Sequence, residues 1–201
     1  MAVQHRRLGR FMMAPLSEIS GDGFMDVIEA IHSRRSVRAY SAQPVERELI
    51  EDLLWDAAQA PPPFAGQTPW TFNVIRGTAR IAVYGERAIQ YARDHRPDIA
   101  EGTWRDREDF KVFWDAPVVV IISGPVEDCC RAGQLLLLTA HARGLGACWV
   151  GAPMQWLRTV EAKAEIGIPE HLTPVSVICL GHPALTPAAP KRGCPTIIWQ
   201  D

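Results

Sequence analysis

Residues 117–151 read PVVVIISGPVEDCCRAGQLLLLTAHARGLGACWVG, and the changes of pattern inside them decide the fold. Val118, Val119, Val120, Ile121 and Ile122 form an unbroken β-branched run, which fits a strand buried on both faces. Gly124 and Pro125 interrupt it. Gln134, then Leu135, Leu136, Leu137 and Leu138, with Ala140 and Ala142, predict a helix over 125–144 that is apolar nearly all round and therefore central. Gly144-Leu145-Gly146 stops that helix, glycine being the usual residue for a left-handed end. A short buried strand then runs towards Gly151.

Working outward, the same alternation continues. On the N-terminal side Met25, Ile28, Ile31 and His32 recur at helical spacing, so residues 24–33 read as a short helix. Pro44 opens a second helix over 45–60, with Leu49, Ile50, Leu53, Leu54, Ala57 and Ala58 on one face. Pro61, Pro62 and Pro63 end it, since proline removes donors and restricts its predecessor. Residues 70–76 read as a strand and 79–95 as an amphipathic helix. The polar stretch 96–111 reads as a surface excursion or lid. On the C-terminal side residues 154–166 read as one helix closed by Gly167 and Pro169, residues 174–180 as a strand, and the rest as a proline-rich tail. Strands separated by helices predict an α/β or α+β sandwich with helices packed on a sheet.

Composition narrows the class. Apolar residues make up 47% of the 201 positions and charged residues 22%, close to globular averages. A chain of this length buries about 70% of its unfolded surface, so it needs no staples. Lys and Arg number 21 against 23 Asp and Glu, for a net charge of -2, which gives no electrostatic reason to expect nucleic acid or an anionic membrane. Apolar runs such as 116–122 are too short to span a bilayer. Cys129, Cys130, Cys148, Cys179 and Cys194 are scattered and contain no C-x-x-C, which fits reduced thiols in a cytoplasmic protein better than a disulfide framework or a metal site. Residues 1–24 lack the long apolar core of a secretory signal. They read as a loose extension, or as an upstream start before Met13 or Met25, ahead of one domain over 25–201.

Negative evidence matters as well. Gly144, Gly146 and Gly151 follow a helix rather than join a strand to a helix, so they are not a Rossmann fingerprint. G-x-x-x-x-G-K-[ST] and G-x-S-x-G are both absent from the sequence, as is any catalytic dyad.

Three segments carry candidate chemistry. Arg34, Arg35, Ser36 and Arg38 put guanidinium forks beside a hydroxyl, a donor set suited to phosphate. If this stretch is extended, Arg34, Ser36 and Arg38 share one face. The simpler alternative is a basic turn offsetting the dipole at the end of the first helix. At Gly144–Gly151 small residues would let a flat ring approach the backbone, whose N–H could meet a ring nitrogen; a helix stop before a buried strand explains the same residues. In the tail, Lys191 and Arg192 could extend a phosphate site or simply aid solubility. Ile197, Ile198 and Trp199 would be wasted in solvent and suggest docking on a partner subunit.

Taken together and in order, these segments resemble the nitroreductase family of flavoproteins. The carrying motifs are Arg-Arg-Ser-x-Arg (Arg34, Arg35, Ser36, Arg38), the loop 61–70 ending in Pro69-Trp70, and Gly-Leu-Gly-x-x-Trp-Val-Gly (Gly144 to Gly151). Gly181 with Pro183, and Pro190 with Arg192, complete the series, which covers the chain from about Met25 onward. The resemblance implies an α+β fold with a mixed central sheet flanked by helices, built as an intertwined homodimer with FMN at the subunit interface. It implies that Arg34, Ser36 and Arg192 grip the phosphate and ribityl chain, with Arg35 contributing through its backbone. Arg38 would lie at the pyrimidine edge, and Gly151, between Val150 and Ala152, would offer its N–H to N5. A cation at that edge suits a reduced flavin, which is an anion.

The resemblance further implies ping-pong transfer of hydride from NADH or NADPH through N5 to an electrophilic acceptor such as a nitroaromatic or quinone, with no protein acid or base. Two departures stand out. Pro63, Gly66 and Thr68 occupy places where the family presents Ser or Thr, Asn and Gln, leaving Pro62, Pro63 and Gly66 only backbone or van der Waals contact with FMN. Leu135 stands where relatives often carry Asn. These departures keep a specialised branch open, of flavin-destructase, dehalogenase or azoline-oxidase type, as well as a flavin-binding module without turnover. A purely structural α/β interaction domain is a further alternative, one that must treat every arginine-bearing motif as coincidence.

Overall fold

The computed structural model describes residues 25–63, 68–95, 103–104 and 107–200; Gly66 and residues 1–24 lie outside them. In chain order the elements are α1 (Val27–Ser33), α2 (Arg47–Ala57), β1 (Thr71–Arg76), α3 (Thr78–His95), β2 (Val118–Ser123), α4 (Val126–Ala142), β3 (Gly146–Trp149), α5 (Met154–Leu157), α6 (Val160–Ile166) and β4 (Pro174–Gly181). The strands pair in the order β1-β2-β4-β3, and every pairing is antiparallel. Among the described residues the sheet is mixed only through an isolated parallel bridge between Ser36 and Ala147.

Why β2 is apolar at every position is visible in its two neighbours. Val118, Val120 and Ile122 join a core with Leu53 of α2 and Leu136 of α4, whereas Val119 and Ile121 join a second core with Ile81 and Tyr84 of α3 and Leu157 of α5. Successive strand residues point to opposite faces, so helices on both sides leave no solvent-facing position. Each such Leu or Ile contributes roughly 1.5–3 kcal/mol through burial.

Several boundaries differ from the sequence expectation. Val45 stays outside α2, its carbonyl accepting a hydrogen bond from the Arg76 guanidinium at 3.1 Å, and the helix starts only after Glu46. The single helix expected over 154–166 is two. Thr159 turns extended (φ -69°, ψ 152°), and its hydroxyl accepts the Ala162 N–H, so it caps α6 rather than continuing α5. α4 is central as expected, and it ends before Gly144, whose φ of 76° is left-handed.

One packing detail positions the site. A Cβ on Gly146 would meet the Val37 side chain at 2.6 Å. Only glycine therefore lets the segment after α1 lie against β3, where the Val37 N–H donates to the Ala147 carbonyl at 3.0 Å. The segment continues to Tyr40, which bridges Pro183.

Candidate flavin site

The segment after α1 is extended and half-buried, and it separates its arginines by task. Arg35 turns back, donating to the carbonyls of His32 at 2.8 Å and Arg34 at 2.9 Å. This is the helix-end role of the simpler alternative, and it leaves the Arg35 backbone in the site segment. The Arg34 guanidinium makes no such bond among the described residues. It lines an open cleft of about 580 Å³ with Ile31, His32, Arg35, Gln134, Pro190 and Arg192. Burial first, then the charges of Arg192 and Arg35, push the Arg34 guanidinium below its ordinary value. Among the described residues no carboxylate pairs with Arg34, Arg35 or Arg192. Like charges held together at a cost in electrostatic energy, with no internal counter-ion, form a receptor for an anion.

His141 at the end of α4 belongs to the same corner. Its Nε2 lies 2.7 Å from the Ser33 hydroxyl. Burial lowers its pKa, and the charges of Arg34 and Arg35 lower it further. Burial pushes the Cys148 thiol of β3 up, against the charge of Arg38 and the Ser36 hydroxyl, which favour the thiolate. Arg38 is exposed, and its guanidinium lies over the Trp114 ring, 5.1 Å from the centroid. Arg34, Ser36 and Arg38 all favour the Cys148 thiolate, which fits alternate residues of an extended stretch.

β3 connects this corner to a second one. Ser36 is bridged to Ala147, and Gly151 comes four residues later, roughly 13 Å at the ordinary strand rise. The buried Val150 donates its N–H to Val177 at 2.8 Å, so the sheet consumes that donor. The Gly151 N–H has no partner among the described residues, and a Cβ placed there would meet nothing within 4 Å. Gly151 and the half-buried Ala152 line a smaller cleft of about 310 Å³ with Ala88, Ala92, Trp104, Met154 and Gln155. A cationic cradle and a free amide facing open space, joined by one strand, suit a ligand with a phosphate at one end and a flat hydrogen-bond-accepting ring at the other.

The structure does not bring every expected residue here. Pro62 and Pro63 line neither cleft, and Gly66 lies outside the described residues. Leu135 packs half-buried against the α2–α4 core, so it offers the site no polar group. Sequence reasoning missed Gln134, His141, Cys148 and Trp114. Their only signal is spatial, since Ser33 and His141 are 108 residues apart.

The model of the nitroreductase family matches residues 31–182. A Methanothermobacter thermautotrophicus protein with the provisional name NADH dehydrogenase/NAD(P)H nitroreductase is 37% identical over 165 residues, covering 81% of this chain and 80% of its own. A 4-nitrobenzoate reductase of Pseudomonas putida is 26% identical over 148 residues, covering 70% of this chain and 60% of its own. The crystal structure of a Bacteroides fragilis nitroreductase with bound FMN superposes with a TM-score of 0.73 at 26% identity, covering 87% of this chain and 99% of that one. The chain belongs to the nitroreductase family. It is an oxidoreductase with that family's α+β fold.

Proposed function

We propose that the protein is an FMN-dependent oxidoreductase of the cytoplasm, which takes reducing equivalents from NADH or NADPH and delivers them to a small electrophilic acceptor, nitroaromatic or quinone-like, in alternating half-reactions. The carrying observation is the carboxylate-free cleft of Arg34, Arg35 and Arg192, whose segment is bridged at Ser36 to β3, the strand that leads to the free Gly151 amide. Bound FMN supplies the redox chemistry, accepting and returning hydride at N5. The chain supplies position and charge. Arg34 and Arg192 bind the phosphate through charged forks, and the Ser36 hydroxyl adds a directional bond beside them. The Gly151 N–H would donate to N5 and so hold the ring edge. The Arg38 guanidinium stabilises negative charge at the pyrimidine edge. The apolar walls at Ala88, Ala92 and Met154 admit a flat partner and exclude water from the reacting face.

The same reading includes a homodimer with the cofactor at the interface. α1 leaves Val27, Ile28 and Ile31 exposed, and the tail leaves Ile198 83% and Trp199 79% exposed in the single chain. Apolar surface of this kind marks an interaction face, and a second copy of the chain would cover it. The test is a spectral titration of purified protein with FMN, followed by anaerobic addition of NADPH or NADH. Saturable binding and bleaching of the flavin absorbance are expected, and the dimer should appear in sedimentation. A protein that takes up no FMN overturns the proposal.

A further inference from the structure

Arg38 and Trp114 are joined by a device that phosphate binding does not use. Arg38 is exposed, so core packing does not dictate where its long side chain points. Even so, its guanidinium sits on the Trp114 ring face at 5.1 Å, within the usual cation–π range. Trp114 is unusual in its own backbone. Its φ is 48° and that of Asp115 is 56°, two successive left-handed residues of which neither is glycine. Such residues persist only where their surroundings over-determine them, and they cluster at functional sites.

The surroundings do so here. Lys111 pairs with Asp115 at 2.5 Å, and the Ala116 N–H donates to the Phe113 carbonyl at 2.9 Å. Val112, Phe113 and Ala116 are all buried. The left-handed pair breaks that buried run and leaves the Trp114 ring half-buried beneath Arg38. Phe110 meets Trp114 edge-on, with centroids 6.5 Å apart and planes at 81°, and Trp104 lies 5.3 Å from Phe110. Trp104 also lines the cleft at Gly151. A row of aromatic rings therefore runs from the wall of the Gly151 cleft to the guanidinium of Arg38.

We infer that Trp114 is a positioning residue for the flavin site, its ring face fixing the Arg38 guanidinium at the pyrimidine edge so that the reduced, anionic cofactor is favoured over the oxidised one. This rests on the role given to Arg38 above. A guanidinium held in one place stabilises charge better than one that samples many rotamers. The strained turn at Trp114 and Asp115 is what holds the ring there.

The experiment has a cofactor-free arm and a loaded arm. In flavin-free protein the Arg38 Nε–Hε resonance should carry the ring-current shift of Trp114, lose it in Trp114→Leu, and keep it in Trp114→Phe. In loaded protein, flavin titrations and the midpoint potential give the ratio of affinities for reduced and oxidised FMN. That ratio should fall about two- to five-fold in Trp114→Leu, the range expected for one cation–π contact, and stay near the parent value in Trp114→Phe. It should fall further in Arg38→Ala. The double variant Arg38→Ala/Trp114→Leu should match Arg38→Ala alone, because both remove one interaction. Leucine fills the space without a π face, and thermal melts would confirm that the variant folds.

If Trp114→Leu keeps the parent ratio while Arg38→Ala lowers it, the positioning role is overturned and the role of Arg38 stands. If Arg38→Ala keeps the parent ratio, both fall. Identical behaviour of the Leu and Phe variants would assign the effect to packing and also overturn the proposal.

Discussion

At Arg34 the candidate site is made of side chains, and at Gly151 it is made of main chain. The first corner gathers the guanidiniums of Arg34 and Arg192 without a carboxylate, so its affinity resides in groups that substitution can delete one at a time. The second corner offers an amide, and its specificity lies in the absence of a side chain and in β3 ending where it does. The difference teaches that, on the proposed function, one ligand would be gripped by chemistry at one end and by conformation at the other. Truncation should therefore harm the first corner and added bulk the second.

The largest expected effect breaks the charged end. Arg34→Ala with Arg192→Ala removes two charge-assisted contacts, each contributing about 1.5–3 kcal/mol, so FMN affinity should fall by about 10² to 10⁴-fold in a fluorescence titration. Riboflavin, which lacks the phosphate, should bind parent and variant alike. Equal loss for both ligands would contradict a phosphate corner.

Next comes the backbone end. Gly151→Pro deletes the amide donor and leaves the Val150 bond to Val177 intact. FMN affinity should stay within about ten-fold of the parent, while flavin reduction by NAD(P)H in stopped flow slows by about 10²-fold, the usual cost of one oriented donor. A variant with unchanged reduction rate would remove Gly151 from the chemistry.

Adding one methyl sharpens the contrast within β3 and its end. Gly146→Ala should cost about 1–3 kcal/mol in thermal or urea unfolding, because its Cβ would overlap Val37. Gly151→Ala should leave stability within about 0.5 kcal/mol, because its Cβ meets open space.

The smallest effect is electrostatic. Burial, Arg34 and Arg35 lower the His141 pKa below 6.5. In that window the unfolded chain binds more protons than the folded one, so flavin-free protein should lose stability as pH falls from about 6.5 towards the lowered value. A phosphate dianion at the arginines should raise the His141 pKa and flatten this slope. Melts at several pH values, with and without FMN and in His141→Gln, measure it; a slope unchanged in His141→Gln would assign it elsewhere.

How much of this was legible from sequence depended on whether the governing forces were local. β2 and α4 were readable because an unbroken β-branched run and an apolar helix with a glycine stop leave few alternatives. The break at Thr159 was not, because a hydroxyl that caps a helix looks in sequence like any threonine inside one. Arg34, Ser36, Arg192 and Gly151 could be named from motifs in order along the chain. Arg35 carried two readings, and its guanidinium took the simpler one at the end of α1. Gln134, His141 and Cys148 stayed hidden because α4 and β3 reach the arginines only after the sheet is assembled. Trp114 was hidden for a second reason, since nothing in its neighbours announces two left-handed residues in succession.

The attachment of residues 36–40 to β3 has a kinetic corollary. Ser36 and Val37 meet Ala147 through one bridge and one N–H bond instead of a full ladder, while Ala39 and Tyr40 are tied to residues 183–184, so the β3 end of the strip is held much as a zipper is by its last tooth. A ligand clasped by Arg34 and Ser36 adds the remaining teeth. Deuterium uptake at the Val37 amide should therefore slow in step with cofactor occupancy, and cofactor escape and strip detachment become one opening event with one rate.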